Sequence, residues 1–192
     1  VYGQAKSYLK KAGTYILAAT ILIWFAGNYP KNSELEAQYE TRIAQAVNEK
    51  EAKQLRNELS ARLLEESYLG KIGHASEPFF APLGFDWRMA VALEAGLAAK
   101  EVVVSTLGVL YALGDEVDEG NEGLIAKIKA NIPFASAIAF VVFVMVYLPC
   151  LAASMVFAKE AGGWKYLVYL FFMTTLTAWV LSFIAYHATV SY

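Results

Sequence analysis

The run MAVALEAGLAAKEVVVSTLGVLYAL, residues 89–113, decides the architecture of this chain. A bilayer core of about 30 Å is crossed by roughly 20 apolar residues in helix. The run is long enough, but it carries Glu94, Lys100 and Glu101. Each such charge costs about 2.5–3.5 kcal/mol near the centre of an inserted helix, whereas a Leu or Val returns only about 0.3–0.6 kcal/mol. Three charges outweigh the branched aliphatics around them. The segment therefore packs against other protein or lines a wet cavity. It can do so as one spanning helix or as a re-entrant pair of half-helices around Gly96, and the sequence leaves both open. Asp86 is placed to cap its start, after a bend built from Pro78, Pro82 and Gly84.

The surroundings of this run have membrane composition, with 57% hydrophobic and 14% aromatic residues among 192. Three further stretches, Ala12 to Tyr29, Phe134 to Phe157 and Tyr166 to Tyr186, are long and apolar enough to span. Trp24, Tyr29, Trp164 and Lys165 near their ends suit the interface. The opening stretch has Lys6, Lys10 and Lys11 before its apolar run, like a signal peptide. It lacks a small-residue cleavage site and reads as a transmembrane helix starting in the cytoplasm. Four crossings return the C-terminus to that side; a re-entrant 78–114 leaves it outside. A chain beginning at Val1 is expected to be a piece of something longer.

Between the first span and the charged run lies a polar insert that belongs in water. Ser33 with Glu36, and Asn48 with Glu51, have the spacing of helix-start capping boxes. Leu35, Tyr39, Ile43 and Val47 recur every four residues, as do Leu55, Leu59 and Leu63, predicting a helical hairpin or one long bent helix that ends near Gly70. Its mixed charges make it a solvated spacer or docking arm. The expected organisation is a first transmembrane helix over 1–30, the polar helical insert over 31–76, the charged segment over 77–114, a polar loop over 115–132 and two transmembrane helices over 133–192. The fold class is all-α, a polytopic helical membrane domain with a polar extramembrane helical insert.

A net charge of −2 gives no basic footprint for nucleic acid. The single cysteine excludes an internal disulfide and a soft-metal cage made by this chain alone. Phosphate loops, HExxH and nucleophile elbows are absent, so no catalytic site is readable and the segment is not expected to be an enzyme or to bind a cofactor. Two constellations carry chemistry. Glu94 and Glu101 are seven apart, which on an unbroken helix puts both carboxylates on one face with Ala98 and Ser105. Hard oxygen ligands of this kind suit a divalent cation, although Lys100 and Glu101 can instead pair structurally. In FVMVYLPCLAASM, residues 143–155, Pro149 frees the carbonyl of Met145 beside the thiol of Cys150, with Tyr147 and Ser154 three and four residues away. Thiolate, carbonyl and hydroxyl make a partial cage for Fe²⁺ or Zn²⁺; the alternative is a kinked packing helix with a small buried cysteine. Met145 and Met155 lie off the cysteine's face on a regular helix.

GLAAKEVVVSTLGVLY (96–111) and VYLPCLAASM (146–155) together resemble the C-terminal membrane half of the bacterial ferrous-iron transporter family FeoB. The similarity extends over residues 7–30 and 68–188. It implies a second "gate" half, with a cytoplasmic GTP-binding domain and a first gate elsewhere in the same protein. It also implies Fe²⁺ as the transported ion, the bacterial cytoplasmic membrane as the location, and a possible homo-oligomer. Residue by residue, the family's LPC cysteine maps to Cys150 and its AKE glutamate to Glu101, with Lys100 as partner charge. Pro149, Met145, Tyr147, Ser154 and Ser105 are expected to support the path. Glu94 departs from the family pattern and is expected to add a ligand. The rivals are a proton-coupled transporter of another solute, with a Lys100–Glu101 relay, and a non-transporting scaffold that docks partners through the insert.

Overall fold

The computed structural model describes residues 2–97, 99–111, 129 and 131–191. Every regular element among them is helical. Helix α1 runs Tyr2–Asn28. Next come α2, Ser33–Ala44, and α3, Glu49–Glu66, which pack on each other as a hairpin rather than one bent helix. Asn48 caps α3 as its spacing predicts, its side-chain oxygen accepting the Glu51 amide at 2.8 Å, while the Glu51 carboxylate reaches back to the Val47 amide at 3.1 Å. At α2 the cap moves one residue upstream of the expected Ser33. Asn32 accepts the Leu35 amide at 3.1 Å, because Ser33 is already the first helical residue.

Helix α4, Tyr68–Phe80, starts at Ser67, which accepts the Gly70 amide, and passes through Pro78 without ending. The chain then turns through a short 3-10 segment, Ala81–Leu83, and Gly84 at φ 72°. A Cβ on Gly84 would strike the Tyr186 ring and the Ser136 hydroxyl, so glycine is required there for space as well as for φ. Asp86 caps α5, Trp87–Ala95, by accepting the Met89 amide at 2.9 Å. Helix α6 is Val102–Leu110, α7 is Phe134–Val146, α8 is Leu151–Glu160 and α9 is Lys165–Val190. The expected polar loop 115–132 lies outside the described residues except for Lys129, Asn131 and Ile132.

Helix α5 forms the centre: Met89, Ala90, Val91, Ala92, Leu93 and Ala95 are all buried. Helix α4 lies against it, with Gly73 so close to Val91 that a Cβ has no room. Helices α7 and α9 pack along each other over small residues, Ala139, Ala178 and Ser182 being fully buried. Helix α1 lies on α8, and α3 leans on α6.

Of the two alternatives open for the charged run, the described residues have the pair of short helices, α5 and α6, divided next to Gly96. One expectation is corrected: the stretch 134–157 is not one continuous helix but breaks between Val146 and Leu151, where Tyr147 and Cys150 adopt extended ψ values of 174° and 146°. Pro149 has no amide to donate and biases the residue before it away from helix, so the break falls where the proline stands. Among the described residues one helix, Lys165–Val190, is by length and composition long and apolar enough to cross a membrane.

Candidate functional site

Breaking a helix leaves carbonyls unpaired at the end of its first half and amides unpaired at the start of its second. Here two breaks are set against each other, and each supplies what the other lacks. The Leu151 amide, at the start of α8, donates to the Leu97 carbonyl just beyond α5 at 3.0 Å. The Lys100 ammonium, from the first break, donates to the Val144 carbonyl in the last turn of α7 at 2.7 Å. A cation on the carbonyl end of a helix also complements its dipole, and Glu101 at the start of α6 does the same with opposite sign. The AKE and LPC motifs are therefore the two halves of one crossing.

The crossing is tightly packed. Gly96 lies under the Tyr147 ring edge, and a Cβ there would come within 2.7 Å of the phenol oxygen and strike Val103. The Lys100 ammonium sits 4.8 Å from the centroid of the Tyr147 ring, a cation–π contact that holds it beside the carbonyl. Tyr147 packs against Phe143 with ring centroids 5.6 Å apart and planes tilted by 32°, and is 4% exposed.

The sequence-predicted residues divide between two sides of this crossing. Glu101 is exposed and lines a cavity of about 390 Å³ between α6 and α7, together with Lys100, Val144 and Met145. Met145, 75% exposed, is one of its lining residues. Glu94 lines a different cavity, with Leu97 and Tyr147, and accepts the Ser76 hydroxyl at 2.7 Å. The expectation that Glu94 and Glu101 share one helical face fails, because residues 96, 97 and 99–101 are not helix and the stripe through Ser105 is interrupted. The intervening Ala98 lies outside the described residues. The hydroxyl of Ser105 turns onto its own helix, donating to the Val102 carbonyl at 3.0 Å.

Around the thiol, the expected single face of Tyr147, Cys150 and Ser154 is also absent, since Tyr147 and Cys150 precede α8. Cys150 is a half-buried free thiol at the start of α8. Ser154 is fully buried and donates to the carbonyls of Pro149 at 3.0 Å and Cys150 at 3.2 Å, bracing the break from below. The lysine reaches Val144, one residue before the carbonyl of Met145 that Pro149 leaves without its amide. Among the described residues no three Asp, Glu, His or Cys side chains converge on a point. Ser76 and Leu97 were not legible as site residues: Ser76 lies in no motif, Leu97 is an ordinary aliphatic within one, and each matters through a partner distant in sequence.

The family model described as Gate, nucleoside recognition, matches residues 9–164. The chain is similar to an Fe(2+) transporter FeoB of Campylobacter jejuni, with 49% identity over 97% of this chain and 28% of the relative. It is similar to an Fe(2+) transporter FeoB of Helicobacter pylori, with 44% identity over 98% of this chain and 31% of the relative. It also resembles an Fe(2+) transport protein A/Fe(2+) transporter FeoB fusion protein of Porphyromonas gingivalis, with 39% identity over 97% of this chain and 24% of the relative. The chain thus spans less than a third of the curated relatives it matches. No solved structure matches it.

Proposed function

The chain belongs to the Gate nucleoside-recognition family, and from that membership we propose that it is the membrane portion of a ferrous-iron importer, contributing half of the Fe²⁺ path. The observation that carries this reading is the crossing of two interrupted helices. Transporter sites for small ions recur where broken helices meet, because exposed carbonyls and half-helix ends take over part of the ion's hydration. Glu101 supplies a hard carboxylate oxygen and Cys150 a soft thiolate, a pairing that suits a borderline ion such as Fe²⁺. Met145 lines the same cavity as Glu101. A path needs weak, exchangeable sites, and so incomplete a ligand set meets that need. The remaining ligands would come from the first gate half, outside this chain.

In this reading Lys100 does not relay protons. It is committed to the Val144 carbonyl, and no Lys100–Glu101 ion pair occurs among the described residues. Its role is to fix the LPC break relative to Glu101. Helices α1, α7–α8 and α9 span the bacterial cytoplasmic membrane, α5–α6 forms a broken element among them, and the α2–α3 hairpin stands in water. Import would be driven with a GTP-binding domain of the same protein, and transport protein A, fused to the transporter in one relative, is a candidate partner. This segment itself performs no catalysis.

The test is ⁵⁵Fe²⁺ uptake by cells carrying the full-length protein with Cys150→Ser or Glu101→Gln at matched protein level. Each variant is expected to lower uptake at least tenfold. Normal uptake in both would remove these residues from the path.

A further inference from the structure

Two charged residues line the cavity of about 390 Å³ between α6 and α7, Lys100 and Glu101, and the rest of its lining is apolar. They are neighbours in the chain, yet they do not pair. The exposed Glu101 carboxylate takes part in no ion pair among the described residues. The Lys100 ammonium turns instead to a neutral acceptor, the Val144 carbonyl, at 2.7 Å. In a continued helix that carbonyl would accept the Leu148 amide, but α7 ends at Val146 and the lysine takes the donor's place. The Tyr147 ring, 4.8 Å away, favours the ammonium there. Val144 lines the same cavity as Glu101. The ammonium thus stands where a cation drawn in by Glu101 would find its next oxygen.

We propose that Lys100 is a tethered cation that closes the ion path in this state and leaves the Val144 carbonyl to let Fe²⁺ through. The inference rests on the Fe²⁺ path proposed above. A divalent ion gives up hydration only where oxygen ligands replace the lost water. Between apolar walls the Glu101 carboxylate is one such ligand, and a carbonyl at a helix break is another. An ammonium on that carbonyl denies the second, and its charge repels the incoming ion, strongly so where little water screens it. Lysine suits the task, because its flexible four-carbon stem carries a compact point charge that can be displaced without moving a helix. The arriving ion then complements the carbonyl end of α7 as the ammonium did, so the crossing keeps one cation in either state. A purely structural lysine would brace the crossing permanently, and its loss would weaken the fold without admitting ions.

The experiment follows Fe²⁺ influx into liposomes that carry the full-length protein and enclose calcein, whose fluorescence Fe²⁺ quenches, with ascorbate keeping the iron reduced. Without GTP, Lys100→Gln is expected to admit Fe²⁺ at least tenfold faster than wild type. Adding Glu101→Gln to that variant should abolish the leak, since the ion still needs the carboxylate. Lys100→Arg keeps the charge and the hydrogen bond, and with them the fold. It should stay closed without GTP and pass Fe²⁺ at least threefold more slowly with it, because the guanidinium offers the carbonyl more donors. A Lys100→Gln protein as tight as wild type, a leak that persists in the double variant, or one that releases the calcein itself would each overturn the assignment. So would GTP-driven influx through Lys100→Arg equal to that of wild type. Wild type that stays closed with GTP would remove the transport reading instead, while the comparison without GTP still decides the role of Lys100.

Discussion

Lys100 is the residue on which the crossing depends most. Its ammonium reaches across to the Val144 carbonyl, lies over the Tyr147 ring and closes the open end of α7. Lys100→Met keeps the length of the stem but leaves that carbonyl without a donor, a loss of about 1–3 kcal/mol. For a protein part of this size that corresponds to a fall in melting midpoint of roughly 2–4 °C per kcal/mol. We expect the drop in a thermal shift assay on detergent-solubilised full-length protein, with Lys100→Arg recovering most of it. Identical midpoints for Met and wild type would show that the bond does not hold the crossing. The sequence made Lys100 visible as a charge in an apolar run, and the motif placed Glu101 beside it. What it could not show was the partner, a backbone carbonyl 44 residues away. A carbonyl carries no sequence signature, so a motif names the donor and leaves the acceptor unnamed.

At the scale of elements, the sequence marks helix starts well and helix interruptions only where proline is present. Asp86 and Asn48 cap the helices that their spacing predicts, because an N-cap is a local arrangement within four residues. Asn48→Ala should cost about 1 kcal/mol of local helix stability. It should speed amide exchange in the first turn of α3 while leaving Fe²⁺ uptake unchanged; a fall in uptake would tie the hairpin to transport. The LPC break is the opposite kind of feature. Pro149→Ala restores a backbone donor, allows α7 and α8 to join, and draws Leu151 away from the Leu97 carbonyl. We predict at least a tenfold loss of uptake, with protein level preserved and Cys150 labelled by a membrane-permeant maleimide at an altered rate. Unchanged labelling and uptake would mean that proline does not set this break. The second break, at residues 96–101, has no proline, and a single glycine in a long apolar run is compatible with a continuous helix. The Gly96 break became definite only with Tyr147 packed against it.

For the whole molecule, the distribution of apolar surface is informative. Helix α9 packs on α7 through Ala178 and Ser182 yet exposes Tyr169, Phe172 and Leu176 at 63%, 65% and 61%. In the proposed function that face meets lipid or the missing gate half. Leu176→Arg, near the middle of α9, is then expected to cost about 2.5–3.5 kcal/mol of insertion free energy. Glycosylation mapping of the full-length protein in microsomes should show α9 failing to integrate in a measurable fraction of chains. Full integration would argue that α9 is shielded from lipid. By itself the sequence determined the helical class, the caps at Asn48 and Asp86, the helical character of the polar insert and the residues that carry charge or sulfur into apolar segments. These follow from local periodicity, capping chemistry and the cost of charge in hydrocarbon. Only the tertiary structure decided that the two motifs interrupt their helices and cross, and that Glu94 and Glu101 serve separate cavities. Both outcomes rest on hydrogen bonds and packing between residues far apart in the chain, where the spacing of side chains along one helix no longer determines which groups meet.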